Sequence, residues 1–190
     1  MQVNPVLSRR TFSRVTLAAG LASAFPGVLR ADDQPARTVK VGLIGCGGYG
    51  LVLVRDAFKA GGVEVLGICD VDSAHLEAFA GEVEQLQGRR PLEFKQYEDL
   101  LDMDGLEAVF IATPPQWHAL QFIAAIERDL DVYCEKPLAY DIPECRAMAA
   151  AAARSGSIVQ VGFQRRQSPA FQAVRQYLQE GRAGRVICAC

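Results

Sequence analysis

The chain has 190 residues, half of them hydrophobic and 22% charged, with a formal net charge of −2. That length holds one domain of ordinary size and little more. The slightly acidic balance excludes the basic field of a nucleic-acid-binding surface. Six cysteines are present, but none forms a C-x-x-C pair. Cys46, Cys69 and Cys134 each fall at or near the end of an apolar run, where a thiol packs as a small hydrophobe, and Cys188 and Cys190 share one face of a strand. No metal site is therefore expected.

In chain order, residues 1–31 read as an export signal. "SRRTFSR" at 8–14 precedes an apolar, small-residue stretch from Val15 to Leu29, with cleavage expected after Ala24 or Ala31. Arg9, Arg10 and Phe12 resemble a twin-arginine signal, which implies the twin-arginine machinery as a partner and a periplasmic or otherwise exported product. The stretch is shorter than the ~20 apolar residues a membrane span requires, and Pro26 interrupts it, so no membrane span is expected.

From Thr38 onward, short β-rich runs alternate with helical periodicity. The runs "VKVGLIG" (39–45), "VEVLGICD" (63–70), "LEFK" (92–95), "EAVFIAT" (107–113), "DVYCE" (131–135) and "SIVQVGF" (157–163) read as strands. Helices are expected over 49–60, from a Ser73 cap toward Leu86, over 97–102 and 116–128, and from an Asp141/Glu144 capping box through Arg154. Strands buried on both faces and alternating with helices call for a parallel sheet, a doubly wound α/β fold of Rossmann type over 38–165. After Ser168 a helix leads to Gly181, and "GRVICAC" starts a further strand. Residues 166–190 thus read as the beginning of a second α/β domain that is cut short.

Gly45, Gly47 and Gly50 in "GLIGCGGYG" satisfy G-x-G-x-x-G between a strand and a helix. The first glycine permits the tight turn, the second lets backbone approach a pyrophosphate, and the third lets helix and strand pack closely. Cys46 and Tyr49 lie in the same loop and count with it as cofactor contacts. Asp70 ends the next strand, where it accepts from a ribose 2′-hydroxyl and repels a 2′-phosphate, so NAD is expected rather than NADP.

Three further stretches fall at strand carboxyl ends: "ATPPQWH" (112–118), "CEKP" (134–137) and "VGFQRR" (161–166). Together with the glycine loop they resemble the Gfo/Idh/MocA family of oxidoreductases. The resemblance covers residues 38–190 and rests on Ala112, Thr113, Pro114 and His118, and on Glu135, Lys136 and Pro137. It implies an NAD-dependent enzyme that moves hydride between a secondary alcohol of a sugar or polyol and nicotinamide. Lys136 is then the catalytic group beside the nicotinamide and the substrate hydroxyl, on a lysine–proline bond that is often cis in the family. Thr113, Pro114, His118 and Glu135 join the cofactor contacts, with Glu135 anchoring either the strand end or the cofactor carboxamide. His118 is either a second catalytic group or a packing residue. Trp117 either stacks on a nicotinamide or a sugar or belongs to the core, His75 sits on a polar helix face and is expected to be solvated, and Arg165 and Arg166 either reach cofactor or substrate or cross to the next domain. Two other readings stand beside the dehydrogenase. One is a relative that uses bound NAD to hydrolyse glycosides, against which Lys136 argues. The other is an NAD-binding module without complete catalysis. Homo-oligomerisation of a full-length form is left open.

Overall fold

A computed structural model of the chain describes residues 37–185. The expected export signal and all but the first residues of the final "GRVICAC" lie outside them. The described elements are β1 (Val39–Ile44), α1 (Gly48–Ala60), β2 (Val63–Cys69), α2 (Ser73–Gln87), β3 (Leu92–Phe94), α3 (Tyr97–Leu101), β4 (Ala108–Ile111), α4 (Pro115–Ile126), β5 (Asp131–Glu135), α5 (Ile142–Arg154), β6 (Val159–Gly162), a 3₁₀ turn (Gln164–Gln167) and α6 (Pro169–Gln179). The six strands form one sheet in the order β3-β2-β1-β4-β5-β6, and every neighbouring pair is parallel. The chain steps outward from β1 to β3, then returns to lay β4 against the free edge of β1. That reversal is the topological switch point, where such sheets bind ligands.

The apolar runs explain the layering. Val41 and Leu43 of β1 and Val65 and Ile68 of β2 pack with Val54 of α1 and with Leu76, Phe79, Ala80 and Val83 of α2. On the other face, Ile44, Val109, Ile111, Val132 and Cys134 pack with Leu100 and Leu101 of α3, Phe122 and Ile126 of α4, and Met148 of α5. Two helices therefore cover one face and three the other. Leu43, Ile68, Phe122 and Met148 are at most 2% exposed. Each fully buried side chain of this size contributes roughly 1.5–3 kcal/mol, so the two cores hold the strand ends rigidly in place.

Strand limits differ from expectation by one or two residues where a strand leaves the ladder. One cap differs in kind. Asp72, not Ser73, caps α2, its carboxylate accepting from the N–H groups of Ala74 and His75, which holds its pKa below the usual carboxylate range. Ser73 Oγ is instead engaged by Lys95 Nζ at 2.6 Å. At α5 the cap is as expected: Asp141 Oδ1 accepts from Glu144 N–H at 2.8 Å. The return bond differs, because the Glu144 carboxylate accepts from Tyr140 N–H, one residue before the position a capping box uses. Helix α6 has no buried residue. Its Phe171, Val174, Tyr177 and Leu178 are all exposed.

Candidate functional site

The carboxyl ends of β1, β2 and β4 surround a cleft of about 550 Å³, lined among others by Gly45, Gly47, Asp70, Thr113, Pro114 and Trp117. Its floor is the glycine loop. Gly45 has φ +100°, and a Cβ there would come within 2.7 Å of the Ala112 carbonyl carbon. A Cβ on Gly50 would run into the Gly45 carbonyl oxygen. These two glycines serve the fold. Gly47 differs, because its backbone is ordinary (φ −72°, ψ −178°) and an added Cβ would meet nothing within 4 Å. The protein itself does not require a glycine there. What a Cβ at Gly47 would fill is space over the start of α1.

That helix start suits an anion. Gly47 is the N-cap and supplies no side-chain hydrogen bond, and no acidic residue lies in the first turn. The first N–H groups and the positive end of the helix dipole are thus left facing the cleft. Asp70 stands beside them with its side chain 13% exposed. Asp70 Oδ2 accepts from Cys46 N–H at 2.8 Å and Oδ1 from Asp72 N–H at 2.9 Å. Each oxygen makes one bond, and a carboxylate has about four acceptor sites, so capacity remains for a ribose diol. Loop, helix start and carboxylate together fit a dinucleotide.

The far end of the edge carries the lysine. Lys136 follows β5 on a cis peptide bond to Pro137. Its Nζ lies 6.0 Å from the centre of the Tyr49 ring, which projects from the first turn of α1. Glu135 does not pair with it through side chains. The glutamate is 4% exposed, and its Oε2 accepts from Lys136 N–H at 3.1 Å and Gln164 Nε2 at 2.5 Å. That oxygen anchors the strand end. Its Oε1 has no partner among the described residues and lies with the Tyr133 hydroxyl over Gly162, where a Cβ would clash with both. Burial, then the Glu135 charge, push the Tyr133 hydroxyl up to about 12. The same two causes raise Tyr49, so both hydroxyls keep their protons at working pH.

His118 is placed differently from the catalytic role considered for it. It is 1% exposed, with Nδ1 2.9 Å from the Pro137 carbonyl oxygen and Nε2 2.7 Å from that of Thr113. Both ring nitrogens face backbone carbonyls inside the protein, and a neutral ring donates to one of them. The ring straps the loop after β4 to the loop bearing Lys136, and is closed off from the cleft. Thr113 Oγ1 is likewise held, 2.6 Å from Gln121 Oε1. Trp117 is half exposed and lines the cleft, while Arg165 and Arg166 lie over Phe171 and Phe163. The buried thiols are inert packing groups, as their apolar runs imply. Burial, with Asp70 adding, pushes Cys69 up to about 12 and raises Cys46 further, and burial with Glu135 raises Cys134 to about 12. Sequence reasoning missed Lys95, Gln121 and Gln164, and it gave His75 no part in the cleft that His75 in fact lines.

The fold and this edge define a dinucleotide-binding Rossmann domain. Residues 39–163 match the oxidoreductase family with the NAD-binding Rossmann fold, and the chain belongs to that family, Gfo/Idh/MocA. Among curated relatives, inositol 2-dehydrogenase 3 of Saccharopolyspora erythraea is 32% identical over 80% of this chain and 44% of its own length. Among solved structures, myo-inositol 2-dehydrogenase from Lactobacillus plantarum superposes with a TM-score of 0.73 at 28% identity, over 80% of this chain and 44% of that one. The WlbA dehydrogenase from Bordetella pertussis, in complex with NADH and UDP-GlcNAcA, does so at 0.70 and 28% identity, over 78% and 44%. The chain spans less than half the length of these relatives.

The two kinds of glycine separate in a test. Gly47→Ala should leave the melting temperature unchanged and weaken NAD binding at least about tenfold, because the new methyl occupies ligand space only. Gly50→Ala should lower the melting temperature by many degrees. Equal NAD affinity of Gly47→Ala and the unaltered chain, measured by calorimetry, would contradict the placement of the phosphates over Gly47.

Proposed function

We propose that this domain is the cofactor half of an NAD-dependent dehydrogenase acting on a secondary alcohol of a sugar or polyol. One observation carries the reading. Lys136 stands at a strand end on the same edge as the dinucleotide cradle, close to Tyr49, and among the described residues its ammonium enters no salt bridge. An amine tied into a surface ion pair would not be available to a substrate. The inositol dehydrogenases among the relatives support a cyclic polyol or sugar as the substrate class.

In this reading the α1 N-terminus and Gly47 hold the pyrophosphate, Asp70 holds the adenosine ribose, and the half-exposed Trp117 and Pro114 wall the cleft. Nicotinamide, when bound, accepts the hydride. Lys136, as the neutral amine, would accept a hydrogen bond from the substrate hydroxyl and take its proton as the carbon–hydrogen bond breaks, leaving a carbonyl and an ammonium. The Glu135 bonds to Lys136 N–H and to Gln164 fix the backbone from which the lysine projects, and its open Oε1 is an acceptor for the cofactor carboxamide. His118 keeps the two loops in register. Asp70 favours NAD over NADP by opposing a 2′-phosphate. Residues 1–31 act as a twin-arginine signal that sends the folded domain to the periplasm, a reading that rests on Arg9, Arg10 and the apolar stretch alone.

In a chain that joins this half to the remaining length of its relatives, Lys136→Ala should cut turnover of a polyol by about 10²–10⁴ while NAD affinity stays within twofold. Undiminished turnover would sink the assignment. Replacing Arg9 and Arg10 by lysine should hold the protein in the cytoplasm with its fold intact, and periplasmic recovery of that variant would refute the export reading.

A further inference from the structure

At the adenosine end the cleft holds more charge than a selective carboxylate. Asp70 and Cys69 reach it from β2, Asp72 from the start of α2, His75 from the first turn of α2, Lys95 from the end of β3 and Tyr97 from α3. Burial raises Cys69 and Tyr97, which remain neutral. The charged groups lining the cleft are therefore two carboxylates, one ammonium and one imidazole, and the carboxylates of Glu93, Glu98 and Asp99 stand close enough to add to the negative field. His75 Nδ1 is 3.9 Å from Asp70 Oδ2, and its side chain is more than half exposed. Its backbone N–H lies 3.4 Å from Asp72 Oδ1, which fixes the first helical turn and hence where the ring starts. Lys95 Nζ donates to the Val71 carbonyl at 3.0 Å and to Ser73 Oγ at 2.6 Å. Two of its three protons are used, and the charge is tied to the rim of the cleft.

These positions bear on the ribose that Asp70 would hold. With the imidazole neutral, two carboxylates outweigh one ammonium, and a 2′-phosphate entering beside Asp70 is repelled. With the imidazole protonated, the negative excess at the cleft is smaller by one charge, and the added cation stands within 4 Å of the carboxylate that does the excluding. Histidine is the side chain that changes charge between pH 5 and 8.

We propose that His75, with Lys95 across the rim, sets how strictly the site rejects a 2′-phosphate: the cleft selects NAD when the imidazole is neutral and also accepts NADP when it is protonated. The proposal rests on the dinucleotide reading of the site and adds to it a residue that governs cofactor choice. The sign follows from the charges. A proton on His75 lowers the barrier to the doubly charged phosphate, while the uncharged 2′-hydroxyl of NAD feels it far less. The phosphate also gains a proton near pH 6, so the contribution of His75 is what disappears when the residue is replaced.

The test is a calorimetric titration of the 190-residue chain with NAD and with NADP at pH 8 and pH 6. The ratio of NADP to NAD dissociation constants should fall between the two pH values by about fivefold more in the unaltered chain than in His75→Gln. That is the scale of one partly screened charge near a protein surface. His75→Arg should bind NADP more tightly than the unaltered chain at pH 8, and Lys95→Met should weaken NADP at both pH values by several-fold more than it weakens NAD. An equal pH dependence in the unaltered chain and His75→Gln, with NAD bound normally by both, would overturn this proposal and leave the dinucleotide reading standing. Failure of NAD itself to bind would overturn the dinucleotide reading and the proposal together.

Discussion

The binding edge depends on how closely α1 sits on the end of β1. The Gly50 α-carbon lies against the Gly45 carbonyl, and Gly45 itself turns with positive φ against the backbone of Ala112 on β4. No side chain fits at either contact. Because helix and strands meet at that distance, the unsatisfied N–H groups of α1 open at the one place where the order of strands reverses. A helix set back by a methyl group would present the same donors to solvent rather than to a walled cleft. Asp70 locks the arrangement from the β2 side by accepting from Cys46 N–H. A bond between a carboxylate and a backbone N–H is worth roughly 1.5–3 kcal/mol, enough to hold a short loop in one conformation.

From that contact the edge runs in two directions. Toward β2 and β3 it is ionic, with Asp70, Asp72, His75 and Lys95 arranged around the expected ribose. Toward β5 and β6 it is a set of buried polar groups supporting one exposed amine. Gln164 and the Lys136 N–H satisfy one oxygen of Glu135, and Tyr133 stands over Gly162 beside the other. His118 joins the halves by setting its two ring nitrogens against the carbonyl oxygens of Thr113 and Pro137. The ring is 1% exposed, and a neutral imidazole donates to one of the two. The exclusion of water makes those bonds costly to lose, roughly 1–3 kcal/mol for each group left unpaired. The loop bearing Lys136 is therefore referenced to the same strand ends that position the cofactor.

Much of this was legible in the sequence, for identifiable reasons. Central parallel strands are buried on both faces, so runs such as "VKVGLIG" and "EAVFIAT" stand out as continuous apolar segments. The glycine spacing and Asp70 are local and need no tertiary knowledge. What was not legible is whatever depends on partners distant in sequence. His118 has the signature of a catalytic histidine, yet its partners are backbone carbonyls, which carry no side-chain signal. Lys95 follows a three-residue strand and looks like an ordinary surface lysine until β3 pairs beside β2. His75 sits on a polar helix face and is more than half exposed, as that face implies; what the pattern does not reveal is that the β2–α2 turn sets its ring 3.9 Å from the Asp70 carboxylate. The cap of α2 was misplaced by one residue because serine and aspartate are both good caps, and Lys95 had already engaged the serine.

The central claim is that the start of α1 and the end of β2 form the cradle for a dinucleotide. An amide NMR titration of the chain with NAD tests it residue by residue. The account predicts saturable shifts centred on Gly47, Gly48, Tyr49, Asp70 and Asp72, with the amides of α5 left in place. Shifts confined to other parts of the sheet, or none at millimolar NAD, would contradict it.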